Sequence, residues 1–248
     1  VTVRLLVTND DGIDGAGLHV LARRLCEVEG AEVVVVAPDR EFSGASAAVG
    51  ALHEIRPEVR HAAVDGVPQA WMVNGPPALC VLFARLGVFG GDFDLVVSGI
   101  NPGANVGRAI YHSGTVGAAV TARLGGVSGV AISQAVDGWD VEGQAEEDVL
   151  AGQRWETAAE VGAVVVEALL ADPPPEPVVV NVNVPNRALG DLAGWRRVGI
   201  AALPNRTLGS AELVPKAGHP GAYDVQMRWG DPIALPADSD SGAVAAGL

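Results

Sequence analysis

Val3-Arg4-Leu5-Leu6-Val7-Thr8-Asn9-Asp10-Asp11-Gly12-Ile13-Asp14-Gly15 decides the fold. Its first residues are mostly apolar and read as a buried strand. The pattern then changes at once to Asn, Asp, Asp and Gly. A helical pattern follows, with Leu18, Leu21 and Leu25 on one face. Strand, acidic glycine turn, helix is the opening unit of a parallel α/β domain. Ligands in such sheets sit just beyond the carboxyl ends of the strands. Asp10 and Asp11 occupy that place on the first strand.

Working outward, the same alternation recurs. Strands are expected at Glu32 to Ala37, Phe93 to Val97, Val130 to Ser133 and Val178 to Val184. The nearly all β-branched run at Glu32 to Ala37 suits a strand covered on both faces, while Asn181 and Asn183 interrupt the last run. Val59 to Val64 and Ala70 to Val73 read as short strands around the Asp65-Gly66 turn. Helices are expected from Pro77 to Leu86, from Ser113 onward, and from Arg154 to Leu170. Proline suits a first helical turn, and a hydroxyl suits a cap. Ser98 to Gly107 reads as a polar glycine loop. Asp137 to Asp148 reads as a solvated acidic loop. The alternation stops near Pro185. Beyond it, Arg196 to Ala201 and Tyr223 to Trp229 are candidate strands, and Trp195 and Trp229 are expected to pack on the core or on a second subunit. Asp238 to Leu248 reads as an end needing outside support. The expected architecture is a Rossmann-like three-layer α/β core with a mostly parallel sheet over residues 1–188. Residues 189–248 would form a β-rich C-terminal extension used in oligomerisation.

The 248-residue chain carries 30 acidic against 16 basic residues, a formal net charge of −14. Such a surface repels nucleic acid polymers and anionic membranes. It does not exclude a small phosphorylated substrate, because a bound cation can reverse the local field, so an acidic site that handles phosphate argues for a metal. Cys26 and Cys80 are far apart and read as free thiols. The first residues show neither the basic nor the apolar part of a secretory leader, and no apolar run is long enough for a bilayer, so a cytoplasmic location is expected.

Polar clusters follow the expected strands: Asn9-Asp10-Asp11, Ser43 to Ser46, Ser98-Gly99 with Asn101 and Asn105, and Asn181 with Asn183. Two carboxylates with Ser and Asn oxygens make a hard, oxygen-rich site that suits Mg²⁺ or Mn²⁺ better than zinc or copper. Water activated by such a metal attacks phosphorus readily. Glycine-loop N–H groups and the Ser113-Gly114-Thr115 helix start would bind phosphate, with Asn9, Ser43, Gly44, Ser46 and Asn105 adding bonds. Each cluster also has a plainer reading. Adjacent aspartates before glycine often only shape a turn. Asn181 and Asn183 could simply stitch loops through backbone bonds. Arg40, Arg108 and Arg123 are plausible anion partners, but arginines are mostly solvated. A Lys-containing phosphate loop, a dinucleotide glycine fingerprint and a Gly-x-Ser-x-Gly elbow are all absent.

Taken together, Val7-Thr8-Asn9-Asp10-Asp11-Gly12, Ala37-Pro38-Asp39-Arg40-Glu41 with Ser43, Asn74-Gly75, Ser98-Gly99-Ile100-Asn101, Ser113 to Ala119 and Asn181-Val182-Asn183-Val184-Pro185 resemble the SurE family of survival proteins, 5′/3′-nucleotidases and acid phosphatases. The resemblance is collinear over residues 3 to 185. It implies a phosphomonoesterase that hydrolyses nucleoside 5′- or 3′-monophosphates, or another small phosphomonoester, through metal-activated water. It implies Asp10, Asp11, Ser43 and Asn101 as ligands of one divalent cation per subunit, Mg²⁺ or Mn²⁺, with Asp10, Asp11 and Asn101 catalytic. It also implies a homodimer or homotetramer built through a projecting hairpin and an exchanged C-terminal segment. Where the family usually has Thr-Pro-Ala-Asp-Cys, this chain has Pro76-Pro77-Ala78-Leu79-Cys80, which loses a hydroxyl and a carboxylate. A nucleotide sensor without turnover and an oligomeric scaffold are the competing readings.

Overall fold

Leu5 and Val7 point to one face of the first strand and Leu6 to the other, and both faces are buried. The computed structural model describes residues 2–54, 56–136, 150–202, 209–228, 230–231, 233 and 235–247. In it β1 (Val3–Thr8), β2 (Ala31–Pro38), β3 (Val59–Ala62), β4 (Gln69–Val73), β5 (Leu95–Pro102), β6 (Ser128–Gln134) and β7 (Val179–Val184) form one sheet. The spatial order is β3-β4-β2-β1-β5-β6-β7. All neighbours are parallel except β3 and β4, which pair antiparallel as a hairpin.

Helices α1 (Ala16–Cys26) and α4 (Trp155–Ala171) cover one face. Leu18, Leu21, Leu25, Ala159 and Val166 pack there against Leu5, Val35, Val97 and Ile132. Helices α2 (Pro77–Arg85) and α3 (Gly114–Leu124) cover the other. There Leu79, Val81, Ala118 and Ala122 meet Leu6, Val34, Val36 and Val96. Burial on both faces explains the unbroken apolar runs of β1, β2 and β5. The three-layer, mostly parallel core is therefore as expected.

Several local expectations change. Ser98 to Pro102 is strand rather than loop. β1 ends at Thr8 opposite Ser98, but β6 runs on, and Asn101 and Pro102 pair with Ser133 and Gln134 after a register break. Continued pairing on one side outweighs the turn signals of Gly99 and Pro102, and glycine in a strand commonly marks such a break. Arg196 to Ala201 makes only an isolated bridge, Gly199 to Ser239. Beyond the core, β8 (Ser210–Pro215) and β9 (Tyr223–Arg228) form a separate antiparallel hairpin. Trp195 is 91% exposed and does not pack on the core. Trp229 and the stretch from 137 to 149 lie outside the described residues.

The C-terminal segment finds its support within this chain. Helix α5 (Asp240–Ala245) is capped by the Ser239 hydroxyl, which accepts from Gly242 N. The buried Asp240 carboxylate accepts from Gly107 N, Ala201 N and Ser241 N, each at 2.7–2.8 Å. Cys26 and Cys80 are free. Among the described residues no helix is long and apolar enough to cross a membrane.

Candidate active site

β1 delivers Asn9 and Asp10 to the carboxyl edge of the sheet, where both are fully buried. Asn9 Nδ2 donates to Gly12 O at 2.9 Å and closes the turn. Asp11 is partly exposed on that turn. Asp10 Oδ1 accepts the Thr115 hydroxyl at 2.5 Å. Asp10 Oδ2 and Asn9 Oδ1 are buried without a hydrogen-bond partner. Burial raises the Asp10 carboxyl above its ordinary value. The Thr115 hydroxyl, and backbone N–H groups of Thr115, Asp10 and Gly114, oppose that rise without cancelling it.

Helix α3 comes unusually close to this carboxylate. Its cap, Ser113, accepts from Val116 N at 3.1 Å. Gly114 is required by packing: a Cβ there would stand 2.7 Å from Asp10 Cβ and 2.8 Å from Oδ2. Thr115 Oγ1 also lies 3.3 Å from Asn101 Oδ1. A hydroxyl has one proton, and the shorter contact to Asp10 takes it. Asn101 Nδ2 donates to Gly103 O at 2.7 Å, which turns its carbonyl oxygen toward Asp10 and Thr115. One hydroxyl thus draws together carboxylate and carboxamide oxygens from β1 and β5.

The loop after β2 is fastened beside them through its backbone. Phe42 N donates to Asp10 O at 2.7 Å, and Ser46 N donates to His112 O at 3.0 Å. Gly117 lets the Ser46 carbonyl lie directly on α3, where a Cβ would collide with it. Ser43 and Gly44 sit at the exposed tip between these two anchors. His112 is exposed, and its carbonyl takes part in the anchoring.

Asn105 is held from β6 and β7. Its N–H donates to Asn183 Oδ1 at 2.8 Å, and its carbonyl accepts from Asn181 Nδ2 at 2.8 Å and Asn183 Nδ2 at 3.2 Å. Its own Nδ2 donates to Ser133 Oγ at 2.8 Å, leaving Oδ1 buried without a partner. Asn181 and Asn183 therefore stitch a loop, as the plainer reading has it. Arg108 and Arg123 donate to the carbonyls of Ala202 and Pro177. The Thr115–Asp10 bond and the Ser133–Asn105 bond have no signal in the sequence, because their partners are 105 and 28 residues apart.

Among the described residues no group of three or more His, Cys, Asp and Glu side chains gathers. A zinc-type cluster is thus not what this edge offers. It offers carboxylate and carboxamide oxygens, three of them buried and unpaired, beside a helix N-terminus. That donor set fits a hard cation such as Mg²⁺.

This fold and edge define a Rossmann-like, mostly parallel α/β protein with an oxygen-lined centre at the strand ends. Residues 5–206 match the family model described as Survival protein SurE. The 5′-nucleotidase SurE of Xanthomonas campestris pv. campestris (strain B100) is 38% identical over 204 residues, covering 82% of this chain and 71% of the relative. The 5′-nucleotidase SurE of Haemophilus influenzae (strain PittGG) is 37% identical over 242 residues, 97% of this chain and 84% of the relative. The crystal structure of the SurE protein from Aquifex aeolicus superposes with a TM-score of 0.76 at 27% identity, covering 98% of this chain and 90% of that one. The chain belongs to the SurE family.

Proposed function

We propose that this chain is a divalent-cation-dependent phosphomonoesterase that hydrolyses nucleoside 5′- or 3′-monophosphates to nucleoside and phosphate. The relatives bearing the name 5′-nucleotidase support the reaction class. The observation that carries the site is Asp10. It is fully buried, one of its oxygens has no partner, and no basic side chain is among the groups acting on it. An ionised carboxylate in that position calls for a countercharge.

Asp10, Asp11, Ser43 and Asn101 would hold one Mg²⁺ or Mn²⁺. When bound, the cation supplies positive charge against the phosphate and lowers the pKa of water. The chain's own groups do the rest. Thr115 holds Asp10 in place and orients it toward Asn101. The first N–H groups of α3 and the N–H groups of the Ser43–Ser46 loop receive phosphoryl oxygens. Asn9, Ser113 and Asn105 line the edge and add polar contacts. The hairpin exposes Leu213, Val225 and Met227, which supports association with further copies of the chain through residues beyond 188.

Phosphate release from a panel of nucleoside 5′- and 3′-monophosphates tests the reading. The protein is treated with EDTA, then assayed with Mg²⁺, Mn²⁺ or neither, beside the Asp10→Asn variant. Turnover restored by metal in the wild type and lost in the variant is expected. Metal-independent release, or an active variant, overturns the assignment. Binding without release moves the reading to a sensor.

A further inference from the structure

The chain is poor in aromatic residues: 4 Phe, 5 Trp and 2 Tyr. Most that the structure describes are accounted for by packing. Trp71, Phe83, Phe89 and Phe93 belong to the core cluster on the α2 face, and Trp155, the first residue of α4, packs against the cluster on the other face. Trp195 is exposed, and Tyr223 stands on the hairpin. Among the described residues, Phe42 and Tyr111 are the aromatics on the two loops that the Ser46–His112 backbone bond ties together beside Asp10.

Phe42 is the better placed. Its N–H is bonded to the Asp10 carbonyl at 2.7 Å, so its backbone cannot move independently of the site. The residue is only partly buried. The Arg40 guanidinium lies over the ring, with Cζ 4.7 Å from the centroid. Arg40 in turn donates to Asp39 Oδ2 at 3.1 Å, and Asn74 Nδ2 donates to the same oxygen at 2.6 Å. Asn74, Asp39, Arg40 and Phe42 form one continuous chain of contacts from the end of β4 to the rim of the site. A guanidinium spread on a ring restricts it and occupies one face. What it leaves is a preorganised apolar surface at the lip of a phosphate site. That is what a planar base needs, since stacking does not depend on which base is offered.

We propose that Phe42, backed by Arg40, is the platform on which the substrate's nucleobase stacks while its phosphate reaches the Asp10 edge. Asp39 and Asn74 are positioning residues for that platform. The inference rests on the phosphomonoesterase reading and adds to it the residue that favours a base-bearing phosphomonoester over a purely aliphatic one.

The test compares the wild type with Phe42→Leu, which keeps apolar bulk, using adenosine 5′-monophosphate and glycerol phosphate. The readout is the ratio of kcat/KM for the two substrates. The ratio is expected to fall about tenfold in the variant, mainly through KM for the nucleotide. Arg40→Gln should lower the same ratio by a smaller factor. An unchanged ratio, including an equal loss on both substrates, overturns the platform and leaves Phe42 a purely structural role. Should the wild type release no phosphate from either compound, the phosphomonoesterase reading fails. The ratio of dissociation constants from calorimetry then decides the platform by the same criterion.

Discussion

Asp10 illustrates how a residue can be unfavourable to the fold and still stand at the centre of the proposed site. Its carboxyl is raised by burial, so it resists ionisation in the folded chain. The sign of the effect on stability follows from linkage. The unfolded chain gives up this proton near the ordinary value of 3.8, while the folded chain still holds it. From this group, stability falls as pH rises from 3.8 toward the raised value, and stays lower above it. Asp10→Asn removes that dependence. The metal-free variant should therefore melt above the metal-free wild type at neutral pH, while losing at least about a hundredfold in turnover, as removal of a directly acting electrostatic group does. Equal melting profiles against pH would contradict the buried-charge account. Thr115 is the complementary case. Thr115→Val keeps the shape and removes the one hydroxyl donor to Asp10, at an expected cost of about 2 kcal/mol in denaturant unfolding. Thr115→Ser should restore both stability and activity. Recovery with Ser but not Val separates the hydrogen bond from packing.

Elements reach the site because backbone groups are claimed across long sequence distances. The Asn105 loop is held by Asn181 and Asn183 from β7. Asn183→Ala leaves a buried N–H without its acceptor, and should cost about 2 kcal/mol and loosen the loop between β5 and α3. Hydrogen exchange at residues 103–107 reads this directly. Helix α5 is too short to be stable alone. It stays because Asp240 gathers three backbone N–H groups from the 107 turn, from Ala201 and from its own first turn. Asp240→Ala should destabilise by about 3 kcal/mol and expose the segment after 230 to limited proteolysis. A variant as protease-resistant as the wild type would show that the carboxylate is not what fastens the end.

At the scale of the molecule, the acidic charge and the proposed cation are linked. A chain with net charge −14 that gathers carboxylate oxygens at one edge should gain stability from a cation bound there. At metal concentrations about 100-fold above Kd the gain is about 2.7 kcal/mol, visible as a rise in melting temperature. The rise should vanish in Asp10→Asn. A rise of equal size in the variant would place the cation elsewhere on the acidic surface.

The strand–turn–helix alternation, and hence the parallel core, was legible residue by residue. Apolar runs of β-branched side chains have only one comfortable environment, a strand buried on both faces, and Asp10 and Asp11 stand where such a strand ends. The polar clusters at Asp10, Ser43, Asn101 and Ser113 could be named because each lies in or follows a break in the apolar pattern, although Asn181 and Asn183 break β7 in mid-strand and serve to stitch a loop. Which atoms would be left unpaired there could not be read. That Thr115 is bonded to Asp10, that Asn105 is clamped by β7, that β5 runs on past Gly99, and that Asp240 returns the chain's end to the 107 turn all depend on partners remote in sequence. Local propensity carries no information about such pairs. They arise only when the sheet order sets β1 beside β5 and β6 beside β7, and when packing presses α3 against the end of β1.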